Sequence, residues 1–538
     1  MRKTNRGETT KVVRLLHSLT NNKASFAPCI LAAVTLPGMA APLPPQAQPH
    51  NALPLLHQAI DAQGGEQLLR SIHTVQWTAS GYRNELEQSE RPEGPYVTDM
   101  LAIREVDDYA GNRSFRSVDA SVYPLYKSTL NVTMADGVAM QSRGGPASAA
   151  TPEVVQIAKE RMALNPERLL LTALDSADAH TEPNVVLQGV PQNVVVFNLD
   201  GSPVRIFLNS YTHLPTAVDY SGPLAHTSYY SFLGDVTLRT YYSLWWLAKG
   251  GVHLPLQRTL EGNGMPDQML VISKLEINAT PAEADLTIPA AIKEKFQPNA
   301  PPRDLEKAQL GNPARPATEL EPGIVFIPGS WNTTLIRQQD GVVILEAPIS
   351  SGYAAQVIAE SHRRFPGVPI KGVITTSDSW PHIAGIREFV AQGIPIYALD
   401  LNKPILSRLI DAKRTSKPDS LAKLPRAAEF HLISKRTILG SDNNRIEIIP
   451  IRGETSERQM MVYFPDHHLL YGSDPFQQLP DGSYFYPQTV TELTDAVKRE
   501  NLAPRQFFMM HIGLTPWADL AKAIEAAKSK DTPNGTFN

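Results

Sequence analysis

The sequence predicts an α+β protein in two parts, and three observations carry that prediction. From Ile72 to about Pro289, alternating apolar and polar runs are separated by turn dipeptides, the pattern of a mostly antiparallel sheet. Between Phe296 and Pro322 the chain holds Pro298, Pro301, Pro302, Pro313, Pro316 and Pro322, which break regular structure. From Gly323 onward, short apolar runs alternate with helical ones.

The elements follow in order. In Leu53 to Ala62, the residues Leu56, Ala59 and Ile60 share one helical face, and Gly64-Gly65 ends the helix. A second short helix is expected over Glu66 to Arg70, then a strand over Ile72 to Tyr82. Helical spacing recurs at Val154 to Met162 and Pro166 to Ala173. Val194 to Leu199 runs into Asp200-Gly201, a hairpin turn signal, and Val204 to Leu208 is its natural partner. Leu214 to Tyr220 gives a third strand, and Gly262-Asn263-Gly264 marks another hairpin before the strand Met269 to Ile277. Tyr241-Tyr242 and Trp245-Trp246 read as core or as an apolar patch.

In the second part, Gly323 to Ile327, Asn332 to Gln338 and Gly341 to Glu346 read as an opening meander. Gly352 to Arg364 is a helix, and Lys371 to Ile374 a buried strand. A polar loop follows, then a helix over Ile383 to Ala391 and a strand over Gly393 to Ala398. Pro404 to Asp411 is a helix and Ile446 to Ile451 a strand. Gln459 to Phe464 and Leu469 to Tyr471 form a hairpin, with His467-His468 exposed at its tip. The helix Thr489 to Glu500 and the strand Phe507 to His511 close the set.

Composition bounds the function. The chain has 538 residues, of which 42% are hydrophobic and 19% charged, as in ordinary globular proteins. A net charge of −4 with no stripe of Lys and Arg argues against a nucleic-acid partner. The first forty residues read as a secretory signal: Arg2, Lys3, Arg6, Lys11, Arg14 and Lys23 precede the apolar run Phe26 to Leu36, and Gly38-Met39-Ala40 offers small residues for cleavage after Ala40. The alternative is an unstructured N-terminal tail. The apolar run is too short to span a bilayer, so no transmembrane segment is expected in the mature chain. The single cysteine, Cys29, lies inside the signal, which removes thiol ligands and a cysteine nucleophile from the mature protein. The expected location is periplasmic or secreted.

The order of pieces over roughly residues 323–525, together with five local motifs, resembles the metallo-β-lactamase family. The most informative motif is the loop Ser377-Asp378-Ser379-Trp380-Pro381-His382, with Gly385 beyond it. In the family this loop reads His-x-His-x-Asp-His and is followed by a glycine. Aligning on His382 and Gly385 places Ser377 and Ser379 at the first two histidines and Pro381 at the aspartate. The opening meander ends at Glu346, where the family has an aspartate. Gly453-Glu454-Thr455 stands where the family has Gly-His-Thr. Gly472-Ser473-Asp474 stands where it has Gly-Asp, and Met510-His511 carries its closing histidine.

The resemblance implies an αββα sandwich for this part and a reduced metal set. The family's first metal position would fall on Ser377, Ser379 and Glu454, a poor zinc set, because a neutral hydroxyl is a weak ligand. Its second would keep His382, Asp474 and His511. Two imidazoles and a carboxylate with an open position form a recognised catalytic set for one divalent ion, zinc first. Glu454 becomes the expected catalytic proton acceptor, or else a fourth ligand, and Asp378 lies in the loop between ligand positions. Trp331, Tyr353 and Trp517 either wall the pocket or belong to the core, the commoner place for aromatic residues in such a fold.

Two functions follow. One is an exported metal-dependent hydrolase of a small-molecule ester, lactone, amide or phosphoester. The other is a non-catalytic binding or scaffold protein whose N-terminal β domain carries an apolar ligand or a partner. The expected map is a signal over 1–40, a spacer over 41–52, a β-rich domain over 53–297 and a proline-rich linker over 298–322. A metallo-β-lactamase-like domain over 323–526 and a flexible tail over 527–538 complete it.

Overall fold

Burial alternates along the strands as the sequence pattern requires. In Thr74–Asn84, for example, Val75, Trp77 and Ala79 turn inward while their neighbours do not. A computed structural model describes residues 50–86, 94, 96–122, 126–221, 234–476, 484 and 487–528. The expected signal lies outside the described residues, as does nearly all of the spacer.

The first part is one fourteen-stranded antiparallel sheet. Apart from the two-residue edge strand His50–Asn51, which pairs with His180–Leu187, its strands fall into two consecutive series, Thr74–Asn84 through Ser148–Ala149 and His180–Leu187 through Met265–Ile277. They join because Met265–Ile277, the last strand, pairs antiparallel with Thr74–Asn84, the first of its series. The two hairpins expected from Asp200-Gly201 and Gly262-Asn263-Gly264 are present. The helices Leu53–Gln63 and Pro166–Leu174 cover part of the sheet and bury Leu56, Ala59, Ile60, Leu169 and Leu170 against it. Of the aromatic run on Leu238–Leu247, Tyr242 is buried while Trp246 is 46% exposed, so core and patch readings each hold for one residue.

The second part is an αββα sandwich, and its layers can be read from which residues each core contains. A seven-stranded sheet opens with Thr318–Glu321, Ile324–Ile327, Thr333–Gln338 and Gly341–Leu345. It continues in parallel through Ile370–Thr375, Ile396–Leu399 and Phe430–Ile433. Its first strand therefore begins within the proline-rich segment, before Gly323. The other sheet has six strands, from Thr437–Leu439 to Thr515–Pro516. Val343, Leu345 and Ile374 of the first sheet meet Ile448, Val462 and Phe508 of the second in the central core. The alternate residues Val342, Ile344 and Val373 face the helices Ser351–Arg364 and Ile386–Gln392. Ile449, Met461 and Leu470 face Pro487–Arg499 and Trp517–Lys528 on the far side.

Two elements differ from expectation. The helix foreseen over Ile383 to Ala391 is broken into Trp380–Ile383 and Ile386–Gln392. The break falls at Gly385, where a Cβ would stand 2.8 Å from the Ser350 carbonyl oxygen and 2.9 Å from Ala354 Cβ. The strand foreseen over Phe507 to His511 ends at Phe508, because Met510 N turns to donate to the Ser473 carbonyl at 3.0 Å.

The two parts pack on each other. Val236 and Leu238 join the core of the second part. Beside them the Asp235 carboxylate accepts four hydrogen bonds of 2.6–3.1 Å from the backbone and hydroxyls of Thr415 and Ser416.

Candidate metal centre

Three chain segments deliver the centre to one edge of the sandwich. The parallel strand Ile370–Thr375 ends in the polar loop, whose continuation is the short helix holding His382. Proline is tolerated in that helix's first turn, where no intrahelical N–H partner is needed, so Pro381 does not prevent it. The strand Leu469–Tyr471 runs through Gly472 and Ser473 to Asp474, and Gln506–Phe508 leads to His511. Residues beyond the C-terminal ends of parallel strands commonly form sites, because the strands end there together while the loops diverge.

Ser473 is an additional residue between glycine and aspartate, and the backbone absorbs it locally. Its φ of 62° is left-handed, which is costly for a residue with a Cβ. Its hydroxyl donates to the Thr376 carbonyl at 3.0 Å and lies 2.8 Å from Thr376 Oγ1. Thr376 Oγ1 also hydrogen-bonds Glu346, which Tyr471 OH reaches at 3.0 Å. Glu346 is itself left-handed, at a φ of 78°. This buried network ties three strand ends together behind the centre, and Asp474 emerges between the two histidines.

His382 Nε2 lies 3.2 Å from Asp474 Oδ2, and His511 Nε2 lies 3.5 Å from Asp474 Oδ1. One ligand atom from each residue lies within 4.8 Å of the other two. The imidazole centroids are 5.3 Å apart, and Trp331 meets both edge-on at 6.4 and 6.1 Å. His511 Nδ1 donates to the Ser330 carbonyl at 2.9 Å, which fixes the proton there and leaves the Nε2 lone pair toward Asp474.

Burial dominates the electrostatics of the centre. Burial, and then the charge of His511, holds the His382 imidazole well below its usual range. Burial also lowers His511, against the Ser330 hydrogen bond. Burial raises the Asp474 carboxyl well above its usual range, and the charges of Glu346 and Asp378 raise it further. His382 Nδ1 and Asp474 Oδ1 are buried without a hydrogen-bond partner. Buried polar atoms are rarely left so. Asp474 Oδ1 lies on the side of His511 Nε2, where a divalent ion fits, since it needs neutral imidazoles and favours an ionised carboxylate; His382 Nδ1 is the ring nitrogen away from that point.

The other expected residues are placed differently. Ser377 and Ser379 are buried in the loop, and the Ser377 hydroxyl accepts from Ser379 N at 3.1 Å. Glu454 is exposed on its loop and does not join the three-residue cluster. The cause is Glu492, on the helix Pro487–Arg499, which sequence reasoning missed. Its carboxylate accepts from the backbone N–H and hydroxyl of both Thr455 and Ser456 at 2.5–3.0 Å. Gly453 leaves room for it, since a Cβ there would stand 2.0 Å from Glu492 Oε2. A glycine ahead of two hydroxyl residues was the only sequence signal for this anchor. Of the three expected wall residues, Trp331 alone meets the centre. Tyr353, on the helix Ser351–Arg364, packs within the core, and Trp517 packs on Phe507.

The candidate centre can be set beside known proteins. No family model matches this chain, and no curated protein matches it. Solved structures do. The metallo-β-lactamase DIM-1 is 17% identical, over 41% of this chain and 98% of its own, with a TM-score of 0.32. A metallo-β-lactamase from Pontibacter korlensis is 12% identical, over 41% of this chain and 100% of its own, with a TM-score of 0.32. The sec-alkylsulfatase Pisa1 from Pseudomonas sp. is 15% identical, over 39% of this chain and 40% of its own, with a TM-score of 0.30. The αββα architecture implied by the resemblance stands on this chain's own strand pairing and core layers.

Proposed function

We propose that the chain is a metal-dependent hydrolase that holds one divalent ion, zinc first, on His382, Asp474 and His511. The observation that carries this reading is the convergence of two imidazoles and one carboxylate, a ligand atom of each lying within 4.8 Å of the other two. Bound there, the ion would supply Lewis acidity toward a substrate oxygen and lower the pKa of a water molecule. The chain's own residues do the rest. Ser330 orients His511, the Thr376–Ser473–Glu346 network positions Asp474, and Trp331 walls the centre.

For the proton acceptor, Asp378 is preferred over Glu454. It is buried in the loop ahead of His382, and its charge reaches Asp474, whereas Glu454 is exposed. The substrate proposed is a small ester, lactone, amide or phosphoester. Export by the N-terminal segment belongs to the same reading, because its basic start, apolar core and small residues form a signal pattern.

The test is elemental analysis of purified chain after dialysis against zinc, followed by turnover of model esters, lactones and phosphoesters. One equivalent of metal and metal-dependent turnover are expected. Asp378→Asn should lower turnover with metal retained, and Glu454→Gln should change it less. A chain that takes up no zinc, manganese or iron would refute the hydrolase and leave the binding-protein reading.

A further inference from the structure

The fourteen-stranded sheet curves around a second feature, remote in sequence from the metal centre. Between its inner face and the helix Pro152–Leu164 lies a cavity of about 500 Å³. That is within the ~300–1,000 Å³ usual for small-molecule sites. The helix presents Val154, Ile157, Ala158 and Arg161 to it, an i, i+3, i+4, i+7 stripe. Opposite stand strand residues such as Val118, Leu130, Val132 and Leu270, so most of the wall is aliphatic.

The charged part of the wall is one-sided. Arg116, Arg143, Arg161 and Arg258 line the cavity, and among the described residues no aspartate or glutamate does. Glu105 lies fully buried behind the arginines. Arg116 hydrogen-bonds it, and Arg161 Nε approaches its Oε1 at 3.3 Å. Burial raises the Glu105 carboxyl, but the charges of Arg161, Arg116 and Arg258 outweigh this and hold it down at about 2. Burial, with Glu105 alongside, pushes Asp107 well above its usual range, so it adds little negative charge. Glu167 is engaged by Tyr109 OH at 2.5 Å. Among the described residues, Glu105 is thus the carboxylate that Arg116 and Arg161 contact directly.

Those guanidinium groups are not saturated. Arg161 Nε and Nη2 and Arg258 Nε are buried without a hydrogen-bond partner. Arg258 Nη1 reaches Asn165 Oδ1 only at 3.3 Å, and its guanidinium stacks 5.0 Å over Trp77. Buried N–H groups without acceptors are unfavourable, and an oxyanion satisfies a guanidinium fork better than any neutral group.

We infer that this cavity binds an amphipathic anion, its aliphatic chain between helix and sheet and its carboxylate, sulfate or phosphate head on Arg161 and Arg258. The inference is independent of the metal centre. It gives the apolar-ligand role of the β-rich part a specific chemistry.

The test is calorimetric titration of the full chain with decanoate, decyl sulfate, 1-decanol and decyltrimethylammonium, all below micelle formation. One equivalent of decanoate or decyl sulfate should bind, with decanol at least tenfold weaker and the cation weaker still. The tighter of the two anions identifies the head. Arg161→Gln with Arg258→Gln should weaken anion binding at least tenfold while leaving decanol unchanged. Because these changes also loosen Glu105, Ala158→Trp serves as an independent variant that fills the cavity and should abolish binding of all four probes. His382→Ala should leave decanoate affinity unchanged. Equal binding of decanol and decanoate would overturn the inference. So would undiminished anion binding in the arginine or tryptophan variants, or loss of binding in His382→Ala alone.

Discussion

At the scale of single residues, the candidate metal centre is three side chains with one geometry between them. His382→Ala or His511→Ala removes an inner ligand, so stoichiometric zinc binding should disappear in elemental analysis. The loss should exceed the ~10–100-fold typical of outer-shell partners. Ser377→Ala and Ser379→Ala should leave metal content unchanged, since a neutral hydroxyl is a weak ligand. A retained equivalent of zinc in both histidine variants would refute the assignment. Glu346 makes a different prediction. Burial raises its carboxyl from 4.5 to about 7, against the hydrogen bonds from Thr376 and Tyr471. A carboxyl raised on folding stabilises the fold most below its unfolded pKa, and that stability is lost as pH rises through the folded one. Stability should therefore fall by about 3 kcal/mol between roughly pH 4.5 and 7. Glu346→Gln should flatten that slope in denaturant titrations of the metal-free chain, and an unchanged slope would assign it to other groups.

At the scale of elements, the break between two short helices matters more than either helix. Gly385 sits where Ala347, Ser350 and Ala354 approach too closely for a Cβ, and Gly385 N donates to the Ala347 carbonyl at 2.8 Å. Gly385→Ala should destabilise the fold by about 1–3 kcal/mol, the usual cost of overpacking. It should also weaken zinc binding, because His382 lies on the adjoining helix. Thermal unfolding and zinc titration check the two effects, and a variant with both unchanged would show that the contact is freely relaxed. The Glu492 anchor is the second element-scale device. Glu492→Ala leaves four donors on Thr455 and Ser456 without their acceptor and should make the 453–456 loop an early site of proteolysis.

At the scale of the whole molecule, the proline-rich segment and the interface it spans make joint predictions. Residues from Leu305 on are held: the Leu305 carbonyl accepts from Ser350 Oγ at 2.9 Å, and Gly352 N donates to Glu306 Oε2 at 2.6 Å. The first cut in limited proteolysis is therefore expected over 298–304, which lacks regular structure. The two fragments should still co-elute on gel filtration, because Asp235, Val236 and Leu238 dock the β-rich part onto the second part. Separation after a single cut would show that interface to be weak. For export, N-terminal sequencing of the protein from its native compartment should begin at or near Ala41, and an intact Met1 would refute cleavage.

Much of this protein was legible in its sequence because local periodicity encodes local structure. Alternation gave the strands, Asp200-Gly201 and Gly262-Asn263-Gly264 gave two hairpins, and the spacing of Leu56, Ala59 and Ile60 gave a helix face. That His382, Asp474 and His511 come together was also legible, since a resemblance in motif order marks positions far apart in the chain. Contacts between distant segments were not. Periodicity does not show that Met265–Ile277 returns to pair with Thr74–Asn84 and merge two series of strands. Spacing does not show that Glu492 takes up the loop of Glu454, nor that Ser473 adopts a left-handed backbone to keep Asp474 between two histidines. The arginines at 116, 161 and 258 lie on three separate elements, and each alone reads as an ordinary surface charge. Only folding brings them to one apolar cavity, where burial deprives them of water and leaves N–H groups for an anion to satisfy.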